Sequence, residues 1–125
     1  MFNKKTSLIA EADFIIASEI KMYLSSLNFQ VYPVISKGEE LIEAALSVHP
    51  ALIITDINLD GQLDGVEAIA RLEEILKIPY IFITAYDDYS RLITSYYLNP
   101  LSLIKKPIDQ NNLVKSLSIF EATLV

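Results

Sequence analysis

Five short apolar, β-branched runs alternate along the chain with segments of helical periodicity, and this alternation leaves very few folds open. The runs are SLIA (7–10), QVYPVI (30–35), ALIITD (51–56), YIFITA (80–85) and LSLIKK (101–106). Each is too short for a typical helix and is bounded by turn or charged residues, as buried strands are. Pro33 interrupts the second run. Because proline donates no backbone hydrogen bond, that strand is expected at an edge of its sheet.

Between the runs, Ile16, Ile20, Tyr23, Leu24 and Leu27 recur at spacings of three and four. Leu41, Ala45 and Val48 repeat the pattern in the next segment, which Pro50 stops. Val66, Ile69, Leu72, Ile75 and Leu76 share one face of a third segment. A fourth, YSRLITSYYL (89–98), is less regular, and a fifth presents Leu113, Leu117 and Phe120. Short buried strands alternating with helices predict a doubly wound α/β fold, a five-stranded parallel sheet with helices on both faces. At 125 residues, without internal repeat or linker, residues 1–125 read as a single domain.

Hydrophobic residues make up 52% of the chain and its mean hydropathy is +0.36. Even so, no apolar run approaches the roughly 18–20 residues that cross a bilayer. The first ten residues lack the apolar core and cleavage site of a signal peptide, so no membrane association and a cytoplasmic location are expected. Without cysteine there are no disulfides, thiolate metal sites or cysteine nucleophiles. A net charge of −6 with no basic stripe repels phosphate backbones. Partners are therefore expected to be proteins or cations, with no direct nucleic-acid binding.

In open α/β sheets the binding crevice lies beyond the carboxyl ends of the strands. That rule gathers Glu11 and Asp13 after the first strand, Asp56 after the third, Thr84 after the fourth and Lys106 after the fifth. Neighbouring carboxylates either keep a proton or recruit a cation, and hard oxygen ligands suit magnesium. Magnesium beside an aspartate assists phosphoryl transfer onto that carboxylate. A hydroxyl at Thr84 and an ammonium at Lys106 could then bind the phosphoryl oxygens.

The stretch DINLDGQLDGVE (56–67) also matches an EF-hand calcium loop, with oxygen ligands at Asp56, Asn58 and Asp60, a turn glycine at Gly61 and a closing Glu67. Such a loop sits between two helices. Here the entering segment HPALIIT reads as a strand, so calcium binding is the weakest of the alternatives.

Taken in order, these motifs resemble the receiver domain of two-component response regulators over nearly the whole chain. The matching stretches are EAD after the first strand, IITDINL with Asp56, LDGVEAI opening the third helix, IPYIFITAY with Thr84, and IKKP with Lys106. The resemblance implies a flavodoxin-like (βα)5 fold with strand order 2-1-3-4-5. It implies phosphorylation of Asp56 by a sensor histidine kinase or phosphotransfer protein, with magnesium held by Glu11, Asp56 and the backbone carbonyl of Asn58. Thr84 and Lys106 would sense the phosphoryl group, and Lys106–Pro107 is a candidate cis peptide. Such a domain is a signalling module rather than an enzyme, beyond self-catalysed phosphotransfer and dephosphorylation at Asp56. It switches a surface for a downstream protein or an output domain, of which this sequence carries none. The fourth helix, fifth strand and fifth helix would form the face of a homodimer.

Three departures from the family pattern bear on function. Ala12 stands where the family has a second acid, a direct metal ligand. Asp13 is the candidate substitute and equally a helix N-cap. Leu103 stands where the family often has a switch aromatic, and Asp60 where proline is common. Ala12 and Leu103 motivate an alternative, a phosphorylation-impaired pseudo-receiver acting as a protein-binding module. A hydrolase that uses an aspartyl-phosphate would want a second acid where this chain has Asn58. Tyr89 and Tyr96 are candidate interface aromatics.

Overall fold

Successive residues of a strand face opposite sides of a sheet, so continuously apolar strands need a cover on both. The computed structural model describes residues 5–85, 93–94 and 96–124. Its strands are β1 (Thr6–Ala10), β2 (Gln30–Val31), β3 (Leu52–Asp56), β4 (Tyr80–Thr84) and β5 (Ser102–Lys105). Its helices are α1 (Phe14–Ser26), α2 (Gly38–Val48), α3 (Gly65–Glu73) and α4 (Gln110–Ala122). The helical pattern over 89–98 falls largely outside the described residues, and so does Tyr89.

All strands are parallel and lie in the order β2-β1-β3-β4-β5, the flavodoxin-like arrangement. Leu8, Ala10, Ile53 and Phe82 join Leu41 and Ala45 of α2 and Val66, Ile69 and Leu72 of α3 in one apolar core. Ile9, Ile54, Ile81 and Ile83 pack on the opposite face with Ile20 and Leu24 of α1 and Leu113, Leu117 and Phe120 of α4. The period-two alternation within each strand thus divides the core into two layers.

The second expected strand is cut short. β2 keeps two residues at the sheet edge, and pairing resumes only at an isolated Ala10–Ile35 bridge. Tyr32 N–H donates to the Ser7 carbonyl at 3.0 Å and Ile35 N–H to the Ile9 carbonyl at 3.1 Å. Pro33, between them, has no donor to offer. The third helix also ends early, at Glu73. Ile75, expected on its buried face, closes the final turn with a 2.8 Å bond to the Leu72 carbonyl and is 66% exposed.

Three helices begin on aspartates that cap their first amides: Asp13 for α1, Asp64 for α3 and Asp109 for α4. α2 ends on His49, exposed and left-handed at φ 48, just before Pro50.

Candidate functional site

Register brings the site residues together. Ala10 pairs with Thr55, so Glu11 and Asp56 leave adjacent strands side by side. Asp56 pairs with Ile83 and Thr84 with Lys105, which sets Thr84 and Lys106 along the same sheet edge. Glu11 is 3% exposed, Asp56 4% and Thr84 is fully buried. Apolar strands on both sides thus carry three polar residues to one rim, where their side chains meet little water.

Lys106 ties the acids to one another. Its Nζ donates to Asp56 Oδ2 at 2.5 Å and lies 3.0 Å from Glu11 Oε1. The contact with Glu11 is an ion pair without hydrogen-bond alignment, and no other described residue bonds that buried oxygen. Glu11 Oε2 accepts the Asp13 N–H at 3.0 Å, and Asp56 Oδ1 accepts the Asn58 N–H at 2.9 Å. Burial pushes the Glu11 carboxyl above its ordinary range. The Asp13 N–H and the Lys106 ammonium oppose this, and the neighbouring Asp56 adds to it. Burial alone would lower Lys106, but Asp56 and Glu11 together outweigh it and hold the ammonium above its usual value. The Lys106–Pro107 peptide is cis.

The segment after Asp56 is fastened along its length. Asp60 N–H donates to the Ser36 carbonyl at 2.9 Å, and Gly61 turns through φ +85. The next two amides, of Gln62 and Leu63, both donate to Glu39 Oε1, at 2.9 and 3.0 Å. These amides, Leu63 first, hold the Glu39 carboxyl below its ordinary range. Gly65 N–H then donates to the Ile57 carbonyl at 2.7 Å, and a side chain on Gly65 would overlap the Asp56 carbonyl oxygen. Glycine is required there for α3 to start so close to β3.

This geometry agrees with the low place given to the EF-hand-like calcium reading of residues 56–67. The entering element is β3, not a helix, and Asp64 Oδ1 is occupied in capping the Glu67 amide at 2.8 Å. The loop turns N–H groups toward an anion, the Glu39 carboxylate, where a calcium loop must converge oxygens.

Magnesium is a different case. Among the described residues no group of three or more His, Cys, Asp or Glu side chains gathers to hold a metal. Magnesium, however, commonly takes one or two carboxylates and keeps several waters. Glu11 and Asp56 are both within reach of a single ammonium, and Glu11 Oε1 is buried without an aligned hydrogen bond. Two convergent carboxylates, one with an oxygen to spare, fit the ion, with fewer acids than the family pattern supplies. Ala12 is exposed and lines a cavity of about 520 Å³ that also touches Glu11 and Ile35. Asp13 Oδ1 accepts from the Ile15 and Ile16 amides at 2.9 and 3.3 Å, so its carboxylate serves as the cap of α1.

Of the remaining candidates, Asn58 is exposed beside Asp56, and Leu103 lies on β5, 37% exposed. Tyr96 is exposed, and Tyr89 lies outside the described residues. Glu39 was not expected from sequence. Its only signal was a glycine placed to open a left-handed turn, which exposes consecutive amides to an acceptor.

Known proteins resemble this chain in sequence and fold. A family model described as the response regulator receiver domain matches residues 8–118. The "Phyllosphere-induced regulator PhyR" of Methylorubrum extorquens is 33% identical over 106 residues, 84% of this chain and 39% of that protein. The "Sensory transduction protein BceR" of Halalkalibacterium halodurans is 32% identical over 107 residues, 86% of this chain and 46% of that protein. The chain thus spans less than half the length of either relative. The signal receiver domain of a modulated diguanylate cyclase from Desulfovibrio desulfuricans superposes with a TM-score of 0.82 at 33% identity, covering 95% of this chain and 96% of that one. No helix among the described residues is long and apolar enough to cross a membrane. With its strand order, its acid–lysine rim and a family match over most of its length, the chain belongs to the response regulator receiver domain family.

Proposed function

We propose that Asp56 accepts a phosphoryl group from a phosphohistidine of a sensor kinase or phosphotransfer protein. The observation that carries this reading is the Lys106 ammonium bridging Asp56 and Glu11 at the carboxyl edge of the sheet. A cation already in contact with the acceptor carboxylate is placed to follow negative charge onto an incoming phosphoryl group.

An Asp56 carboxylate oxygen attacks phosphorus, and a P–O bond forms as the P–N bond to the donor imidazole breaks. The imidazole nitrogen keeps that electron pair and takes up a proton. Asn58 N–H holds Oδ1 during this step, fixing the rotation of the carboxylate. Lys106 moves from Glu11 toward a phosphoryl oxygen, and Thr84, buried at the end of β4, supplies a hydroxyl to another. Glu11, Asp56 and the Asn58 carbonyl would hold magnesium, which when bound neutralises charge on the transferring phosphoryl oxygens. The added charge of roughly −1.5 to −2 then redraws contacts around Thr84 and Lys106 and alters the face that β5 and α4 present to a partner or output domain. Residues 1–125 act in this reading as one receiver domain.

Incubation with magnesium and acetyl phosphate is expected to add the mass of one phosphoryl group, and Asp56→Asn is expected to abolish the gain. No gain at high magnesium would overturn the proposal. A second reading, a binding module with impaired phosphorylation, is favoured by one observation: the Asp13 carboxylate caps α1 while Ala12 offers no oxygen. It predicts millimolar or absent magnesium binding, an unchanged mass, and a partner that binds Asp56→Asn as well as wild type.

A further inference from the structure

We infer that Glu39 is a positioning residue for the phosphoacceptor loop, acting on Asp56 through the backbone of residues 58–63. The inference rests on the phosphoacceptor reading of Asp56.

The loop between β3 and α3 is anchored at its start, in its middle and toward its end. At its start, Asn58 N–H donates to Asp56 Oδ1 at 2.9 Å. Toward its end, Glu39 Oε1 takes the Gln62 and Leu63 amides together, and the Asp60 amide is bonded to Ser36. Asn58 carries the first anchor. Ile57 N–H, donating to the Ile83 carbonyl at 2.9 Å, holds the residue before it, and the later anchors hold the backbone that follows.

Gly61 supplies the geometry of the clamp. Its φ of +85 turns consecutive N–H groups to one side, and a side chain at this position would run into the Glu39 carboxylate. The two amides form an anion-binding concavity filled by a carboxylate of the same chain. Glu39 itself is exposed in the first turn of α2 and contributes nothing to the apolar core. Its removal therefore acts on the loop rather than on the fold. Alanine also suits a helix, so the variant is expected to stay folded.

The test compares wild type, Glu39→Ala and Glu39→Gln by two measurements. Amide hydrogen exchange at Gln62 and Leu63 reads the clamp. The rate of phosphoryl uptake from acetyl phosphate at saturating magnesium reads the acceptor. In Glu39→Ala, exchange at both amides should rise about tenfold or more, the scale of losing charge-assisted hydrogen bonds. Uptake should fall about three- to tenfold, because misplacing a reacting group slows attack without removing it. Glu39→Gln keeps a carbonyl oxygen for both amides and should stay within about twofold of wild type on both readouts.

Wild-type uptake in Glu39→Ala despite lost protection would leave the clamp merely structural and overturn the inference. So would Glu39→Gln falling as far as alanine, since acceptance by that oxygen would then not be what matters. If wild type itself takes up no phosphoryl group, the phosphoacceptor reading fails, and the inference with it. Only in that case is the parent protein silent.

Discussion

Replacing Lys106 by methionine keeps most of the side chain's apolar stem and removes its charge. The ammonium is the shared counter-charge of two acids whose side chains are 1% and 5% exposed, at 3.0 and 2.5 Å. At an effective dielectric of about 20, unit charges about 3 Å apart attract by about 5 kcal/mol. Desolvation of the lysine returns part of this, and its side chain is still 17% exposed. The net destabilisation near pH 8 is therefore placed at about 3 kcal/mol, the lower end of what breaking a buried pair costs.

The loss depends on pH, and its sign follows from Glu11. Burial first, and Asp56 in addition, raise its folded pKa above the 4.5 of an ordinary glutamate, while the ammonium lowers it. Without Lys106 the folded value moves further up. Between the unfolded and folded values the native state holds a proton that the unfolded chain lacks, so stability falls as pH rises through that window. As pH falls through that window Glu11 takes up a proton and needs no counter-charge, so the deficit should shrink toward low pH. With a urea slope of about 1.5 kcal/mol/M, the midpoint should drop by about 2 M near pH 8 and by progressively less as pH is lowered. A shift that stays constant or grows as pH is lowered would refute the claim that Lys106 balances a buried Glu11.

Ala12→Asp adds a carboxylate beside Glu11, where the neighbouring cavity gives it room. Magnesium affinity by calorimetry should rise at least tenfold, the lower bound of what a ligand contributes; unchanged affinity would show that position 12 does not face the ion. Phe120→Ala empties a fully buried site where α4 meets Phe29 and should cost about 3–5 kcal/mol in urea unfolding. Tyr97→Ala, at a position 93% exposed, should stay within about 0.5 kcal/mol of wild type in the same assay.

The fold was legible where one physical rule decided each element. Buried strands must be apolar on both sides, so IITD and YIFIT stood out without any partner in view. Helix faces followed the same logic, and Leu113, Leu117 and Phe120 lie buried in one core layer. Legibility failed where tertiary contacts set an end point. Ile75 continues the spacing of Val66, Ile69 and Leu72, yet the helix stops at Glu73 and leaves it in solvent. Periodicity records which side chains could share a face, not whether the backbone carries on long enough to present them. Pro33 shows the converse: its missing donor predicted an edge strand, but the strand breaks because the chain from Tyr32 to Ile35 sets three residues against two of β1, from Ser7 to Ile9.

The site was legible in position but not in polarity. Strand ends bring Glu11, Asp56 and Lys106 to one rim because register is a property of the whole sheet. The calcium-loop letters counted oxygen-bearing side chains, whereas backbone torsion decides which groups a loop turns inward. With Gly61 left-handed, the loop directs amides at Glu39, and an acid more than twenty residues upstream becomes its ligand. The same reasoning applies to EAD. Asp13 has the right chemistry for a metal, but helix α1 begins immediately after it, and two orphan amides claim its oxygen. The rim is thus left with two acids and one ammonium, a net charge of −1. A divalent cation entering this rim would therefore have to compete with Lys106 for both carboxylates.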